Sequence, residues 1–184
     1  CGFVGRYVSC YIGHSFGFRA RPRCAGNPFK SDANQMTQNL DQWATWGEIH
    51  SQPAIWRAWG AQLNVADLRA WVAAQSFDEV WFCGAGTSAY IGDIIAAAVK
   101  CTRSVPTTDI VANPSHFLSG AKPLVVNFGR SGNSTESIGT LDALDAFAPH
   151  APRINITCNK DSTLATRKSG APTQVIVLPD ATHD

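Results

Sequence analysis

Residues 123–137 read PLVVNFGRSGNSTES, and this stretch passes from an apolar strand through a polar loop into a helix. Residues 123–128 form a short, nearly continuous apolar run, which is typical of a strand covered on both faces of a sheet. Two glycines, an arginine and several hydroxyl side chains follow, and such residues are typical of a turn that leads into a helix N-terminus. The stretch therefore predicts one strand–helix unit of an α/β fold.

The same alternation recurs on both sides of this unit. Further strands are predicted over 79–83, 104–108, 153–158 and 173–178. Helices are predicted around 66–75, 88–100, 134–147 and 162–168. Apolar strands that alternate with helices indicate a parallel sheet with helices on both faces. We therefore predict a flavodoxin-like, three-layer α/β/α domain around a five-stranded parallel sheet over residues 76–184.

A tryptophan-rich segment precedes this domain. Residues 41–59 read DQWATWGEIHSQPAIWRAW, with apolar residues mostly three or four positions apart and Pro53 in the middle. This spacing predicts two short amphipathic helices that meet at the proline. We assign residues 36–75 to N-terminal, Trp-rich helices.

The overall composition excludes several classes of protein. The chain has 184 residues, is 45% hydrophobic and carries a net charge of +1, which gives no case for a nucleic-acid partner. No apolar run approaches the roughly 20 residues that a membrane helix needs. The cysteines form no CxxC pair and no Cys/His cluster, so neither a zinc site nor a disulfide framework is predicted. We expect a cytoplasmic protein without a metal.

Residues 1–35 differ from the rest in charge. They contain five basic residues and one acidic residue, whereas ten basic and thirteen acidic residues follow from Met36 onward. The segment has neither the continuous apolar run of a secretory signal nor the clear amphipathic helix of a transit peptide. We predict that residues 1–35 are an atypical basic segment, either upstream of the natural start at Met36 or disordered.

The loop after the first strand reads Gly84-Ala85-Gly86-Thr87-Ser88-Ala89. Its glycines permit a tight turn, and its hydroxyls and backbone N–H groups at a helix N-terminus suit an anion. A purely steric strand–helix junction is an alternative reading. A second alternative is dinucleotide binding, because the loop also matches GxGxxA and Asp109 follows 25 positions after Gly84.

The loop after the third strand favours a phosphorylated ligand. A simpler interpretation is a helix start, with Asn133 as the N-cap and Glu136 as its capping-box partner. A cap does not need the additional hydroxyl side chains of this loop, nor the positive charge of Arg130, which suits phosphate. Two hydroxyl-rich loops at the carboxyl ends of parallel strands therefore predict a site for a small phosphorylated ligand.

Both loops resemble those of a known family. The stretches GAGTSAYIG (84–92) and FGRSGNSTES (128–137) resemble the phosphate loops of sugar isomerase (SIS) domains. More narrowly, six motifs in the right order are similar to the AgaS family of galactosamine-6-phosphate deaminases/isomerases: EIHSQPAIW (48–56), GAGTSAYIGD (84–93), PTTDIVANP (106–114), RSGNSTES (130–137), ITCN (156–159) and LPDATHD (178–184). The resemblance covers about residues 40–184.

This resemblance implies a set of site residues. The residues implied to bind the phosphate are Ser88, Arg130, Ser131, Asn133 and Ser134. Four more, tentatively, would contact the sugar: Gly86, Thr87, Thr108 and Asp109. Thr107, Thr108 and Asp109 are expected at the end of the second strand, with a β-turn capped by Asp109 as the alternative role.

The family's activity implies conversion of galactosamine 6-phosphate to tagatose 6-phosphate and ammonia, without a metal or organic cofactor. The family has two SIS domains, and related isomerases take the catalytic glutamate and the ring-opening histidine from the second domain or a neighbouring subunit. We therefore expect this chain to bind the hexosamine 6-phosphate, to lack the catalytic base, and to pair as a homodimer or with a second SIS domain. His50, His116 and His150 are expected to be structural or solvated. A non-catalytic phosphosugar-sensing SIS module is the alternative.

Overall fold

The computed structural model describes Leu40 and residues 42–182. The basic segment predicted at residues 1–35 lies outside the described residues. The chain divides into two compact units after Leu63, so the predicted helical segment 36–75 spans their boundary.

The described part of the first unit is dominated by one helix, α1 (Ala44–Gln62), which contains Pro53. The prediction of two helices that meet at the proline is therefore wrong. A proline inside a helix removes one backbone hydrogen bond and bends the axis, but the residues on both sides keep helical geometry here. The proline therefore marks the loss of one backbone hydrogen bond within the helix, and not the end of a helix.

The second unit is built on one parallel sheet. Its strands are β1 (Glu79–Cys83), β2 (Thr102–Ser104), β3 (Pro123–Phe128), β4 (Arg153–Thr157) and β5 (Thr173–Val177). All pairs are parallel, in the order β2-β1-β3-β4-β5. The predicted five-stranded parallel sheet is confirmed.

Helices cover both faces of the sheet. They are α2 (Val65–Ala73), α3 (Thr87–Ala98), α4 (Thr107–Ala112), α5 (Pro114–Leu118), α6 (Thr135–Phe147) and α7 (Thr163–Thr166), followed by a 3-10 turn (Asp180–Thr182). On one face, Leu124, Val126 and Ile154 pack against apolar side chains of α2. On the other face, Val125 packs with Ile110 and Leu144 from α4 and α6. This three-layer α/β/α arrangement agrees with the predicted fold.

The second strand was predicted to begin two residues too late and to end four residues too late. It ends at Ser104, and Thr107, Thr108 and Asp109 form the first turn of α4 rather than the end of a strand or a β-turn. Pro106 explains the difference, because its missing N–H cannot continue the ladder and its φ of −55° suits the residue before a helix. Asp109 accepts a hydrogen bond from the Thr108 hydroxyl, at 3.3 Å.

Two features of the helices concern possible partners. Within residues 42–182, no helix is both long enough and apolar enough to cross a membrane. Helix α3 exposes three large apolar side chains, Tyr90, Ile91 and Ile94. The predicted pairing with another SIS domain stays a prediction.

Candidate functional site

A cleft of about 590 Å³ opens at the carboxyl ends of β1 and β3. The strand order reverses between these two strands, and ligands of doubly wound sheets bind at such a switch point. The lining residues come from the two loops singled out in the sequence: Ala85, Gly86, Ser88, Phe128, Gly129, Arg130, Ser131, Ser134, Glu136 and Ser137. The fold therefore brings both loops to one site.

The first loop turns tightly because Gly84 lies against α3. A Cβ atom at Gly84 would come within 2.6 Å of the carbonyl carbon of Ser88, a distance that no side chain tolerates. The contact holds the first turn of α3 directly above the end of β1, with Gly86 as its N-cap residue. The Ser88 side chain and the positive end of α3 consequently face the cleft.

The second loop is anchored from the neighbouring strand β4. The carbonyl of Arg130 accepts hydrogen bonds from the Thr157 hydroxyl and the Cys158 N–H, both at 3.1 Å. The carbonyl of Gly132 accepts one from the N–H of Leu164 in α7, at 3.0 Å. These bonds pin the loop at two points, so its side chains project from a fixed backbone.

The N-cap of α6 is Ser134 and not Asn133, so the predicted capping box is wrong. The Ser134 hydroxyl oxygen accepts from the Ser137 N–H at 3.3 Å and lies 3.0 Å from the Ser137 hydroxyl oxygen. Asn133 instead accepts a hydrogen bond from the N–H of Thr163, at 2.8 Å. The residue three positions after the true cap is Ser137, so Glu136 has no capping-box position.

The cleft is suited to an anion. Four serine hydroxyls line it, and a hydroxyl that accepts a capping bond still keeps its own O–H for a ligand. Arg130 contributes a positive charge to the wall of the cleft, and helices α3 and α6 both begin at the cleft. Hydroxyls, a guanidinium and two helix N-termini together match the oxygens of a phosphate group.

Most of the predicted phosphate set is brought together. Ser88, Arg130, Ser131 and Ser134 line the cleft, whereas the Asn133 side chain is turned towards α7. Of the tentative sugar contacts, Gly86 lines the cleft, and Thr87, Thr108 and Asp109 do not. The roles of these residues in binding stay predictions.

Sequence reasoning missed two side chains of the wall. Phe128 and Ser137 line the cleft without having been proposed, and Glu136 lines it although it was interpreted as a cap. Ser137 lies three positions after Ser134 on a helix, so the spacing alone places both on one face. Phe128 is the last residue of a buried strand, a position from which a side chain reaches the loops.

No histidine lines the cleft in the described part of the chain. His50 contacts the Trp46 carbonyl in α1, His116 stacks edge-on against Phe117, and His150 borders a different cavity, at the opposite end of the sheet. Residues 42–182 also contain no group of three or more His, Cys, Asp or Glu side chains placed to hold a metal ion. The described cleft thus offers one carboxylate, that of Glu136, for acid–base chemistry.

The sheet order and the paired loops define a sugar isomerase (SIS) domain protein. The chain is 32% identical to D-galactosamine-6-phosphate deaminase AgaS of Shewanella sp. (strain ANA-3), over 86% of this chain and 46% of that protein. It is 38% identical to D-galactosamine-6-phosphate deaminase AgaS of Escherichia coli, over 76% of this chain and 40% of that protein. The chain belongs to the AgaS family.

Solved structures agree. The fold matches the crystal structure of tagatose-6-phosphate ketose/aldose isomerase from Escherichia coli with a TM-score of 0.69 and 32% identity, over 79% of this chain and 42% of that one. The chain matches no protein-family model. It spans less than half the length of the relatives that it matches.

Proposed function

We propose that this chain binds a hexosamine 6-phosphate in the cleft between β1 and β3 and is the phosphate-binding part of an amino-sugar-6-phosphate deaminase/isomerase. The observation that carries the proposal is the convergence of Ser88 with Arg130, Ser131 and Ser134 on one cleft at the switch point of the sheet. The names of the two AgaS relatives support galactosamine 6-phosphate as the substrate.

The position of Glu136 supports an amino sugar in particular. Its half-buried side chain lies on the same wall as the groups that would donate hydrogen bonds to the phosphate. The carboxylate would repel a second anionic group on the ligand. A ligand that carries both a phosphate and an ammonium group satisfies both charges of this wall. A hexose 6-phosphate without an amino group leaves the carboxylate unmatched.

The reaction itself needs more groups than this cleft supplies. The sugar ring must open, a base must move the C2 proton to C1, and water must then displace ammonia at C2 to leave the ketose 6-phosphate. Opening the ring requires an acid and moving the proton requires a base. Since the described cleft contains one carboxylate and no histidine, we propose that the chain binds the substrate and turns it over slowly by itself.

Calorimetric titration of the chain with galactosamine 6-phosphate tests this proposal. Galactose 6-phosphate, galactosamine and NADH serve as comparisons for the amine, the phosphate and the dinucleotide alternative. We expect galactosamine 6-phosphate to bind, galactose 6-phosphate to bind more weakly, and galactosamine and NADH not to bind. Tighter binding of NADH than of the sugar phosphates would overturn the assignment.

Ammonia release from galactosamine 6-phosphate tests the catalytic part separately. Binding with little ammonia release supports the proposal that this chain binds the substrate and that catalysis needs groups from elsewhere. The same result also fits the phosphosugar-sensing alternative. Addition of a chain that contains the second SIS domain distinguishes these two, because only the enzyme gains activity. Rapid ammonia release by the chain alone would show that it carries its own acid and base.

A further inference from the structure

A buried pair of asparagines lies beneath the second loop and touches no surface of the cleft. Asn127 and Asn155 are partners in the parallel register of β3 and β4, with exposed fractions of 4% and 2%. The Asn127 side-chain NH₂ donates to the Asn155 side-chain oxygen, at 2.8 Å. The Asn155 NH₂ donates in turn to the carbonyl of Leu164 in α7, at 2.9 Å.

The orientation of both amides follows from the backbone. A carbonyl oxygen can only accept, so Asn155 must present its NH₂ to Leu164 and its oxygen to Asn127. Asn127 must then present its own NH₂ to Asn155. A single direction of donation therefore runs from the end of β3, through the centre of β4, to helix α7.

Helix α7 holds the second loop in place. The N–H groups of Thr163 and Leu164 donate to the Asn133 side chain and the Gly132 carbonyl, as described above. Gly132 has a φ of +64°, and a Cβ there would overlap the side chains of Ser162 and Thr157. Because α7 has only four residues, its own helical bonds cannot fix its position. The bond from Asn155 ties Leu164 to the sheet, beside the packing of the buried Leu164 side chain and the ion pairs of Arg167.

The pair is poorly designed for stability alone. The Asn127 side-chain oxygen is buried and has no hydrogen-bond partner among the described residues. A buried polar atom without a partner costs about 1–3 kcal/mol, whereas two apolar residues of similar shape at the same positions would be nearly neutral. Such a pair is expected where the hydrogen bond to α7 serves to orient that helix rather than to add to the free energy of unfolding.

We propose that Asn155 is a positioning residue for the phosphate loop: it holds α7, and α7 holds the backbone of residues 131–134 in the conformation that receives the phosphate. The inference rests on the proposed function of the cleft. Asn155 itself contacts no ligand in this scheme, so its loss acts through the loop.

Titration calorimetry with galactosamine 6-phosphate, together with thermal unfolding, tests the proposal in three variants. Asn155→Leu removes both bonds of the amide. Asn127→Leu/Asn155→Leu also removes the Asn127 amide, which the single substitution leaves buried without its acceptor. The double variant should therefore regain stability without regaining the bond to α7. Ile154→Ala is the matched control, because it removes buried contacts from the same strand on the opposite face of the sheet.

We expect both Asn155 variants to bind galactosamine 6-phosphate at least about tenfold more weakly, whatever their melting temperatures. Ile154→Ala should melt earlier and still bind within about twofold of the parent, as expected for an independent site. If affinity follows melting temperature across the three variants, or if the double variant binds like the parent, Asn155 has only a structural role. A parent chain that binds no sugar phosphate would instead overturn the proposed function, and this inference with it.

Discussion

The side-chain oxygen of Asn133 accepts a hydrogen bond from the N–H of Thr163, 2.8 Å away and 30 residues further along the chain. This bond joins the loop after β3 to the helix after β4. Asn133 was predicted to bind phosphate directly, and its observed partner suggests a supporting role instead. Substitutions at this position can separate the two roles.

Asn133→Ala should lower the free energy of unfolding by about 1 kcal/mol, since one hydrogen bond is lost. Asn133→Asp keeps an acceptor for Thr163 and should preserve stability, but its charge should repel a phosphate in the adjacent cleft. Urea denaturation and calorimetric titration with galactosamine 6-phosphate measure the two effects. Equal stability of the parent and the alanine variant would contradict the observed bond.

Arg130→Gln should weaken the binding of galactosamine 6-phosphate by about tenfold, because a charge-assisted contact with the phosphate is replaced by a neutral one. The loss should shrink as salt is raised, since screening weakens the arginine's contribution in the parent. Arg130→Lys is the matched control and should retain part of the affinity and its salt dependence. Unphosphorylated galactosamine, which the parent is not expected to bind, should show no binding to either variant.

Gly132→Ala should destabilise the second unit more than Gly86→Ala does. Both glycines have positive φ, +64° and +56°, so both substitutions add backbone strain, of roughly 1–3 kcal/mol each. At Gly132 the new methyl group would overlap atoms of Ser162 and Thr157, whereas no atom of the described residues lies within 4 Å of a methyl group at Gly86. Urea denaturation of the two variants measures the difference, and equal losses would show that the loop moves freely.

Asp145 should contribute to stability in a pH-dependent way. Burial opposes its charged form, but the hydrogen bond and charge of Arg153 and the charge of Arg167 outweigh burial and hold the pKa of Asp145 below its usual value. A lowered folded-state pKa contributes stability that is complete above the unfolded-state pKa of about 3.9 and is lost as pH falls through the folded value. The parent should therefore lose this stability in acid.

Asp145→Asn should remove that part of the acid dependence and, at pH 7, lower the free energy of unfolding by about 3 kcal/mol, because Arg153 is 1% exposed and loses its partner. Asp142→Asn is the control: Asp142 is 61% exposed and, among the described residues, pairs with Arg167 alone, so its loss should cost under about 1 kcal/mol. Chemical denaturation between pH 3 and 7 gives both values. Identical pH profiles for the parent and Asp145→Asn would refute the assignment.

The sheet and the two loops were accessible from sequence because their signals are local. Each strand of residues 79–83 and 123–128 is a short apolar run that ends at a glycine, and the structure confirms both boundaries. Ser88 and Ser131 could be placed near each other because the carboxyl ends of parallel strands share one edge.

The failures concern competition between local signals. Pro53 was interpreted as a helix end although one missing hydrogen bond does not end a helix, and Pro106 ended a strand that was predicted to continue. The N-cap role went to Ser134 because the Asn133 side chain found a partner in α7, 30 residues away. A contact of that range leaves no periodicity or motif in the sequence.

The Asn127–Asn155 pair was missed for the opposite reason. Both residues interrupt apolar strands, and a polar residue in a strand covered on both faces must find a partner across the sheet. The asparagines in PLVVNF and RINIT therefore predict a polar contact within the sheet. That contact lies beneath the loop after β3 and not in the loop itself.

The strand order β2-β1-β3-β4-β5 has a consequence for how the cleft forms during folding. Its two walls come from residues 85–88 and 128–137, and only the parallel pairing of β1 with β3 brings them together. Such pairings are non-local and therefore form slowly, so neither loop acquires a ligand-binding shape before the centre of the sheet has assembled. A sugar phosphate that spans both walls should then slow the unfolding of the entire sheet, and not merely the opening of one loop.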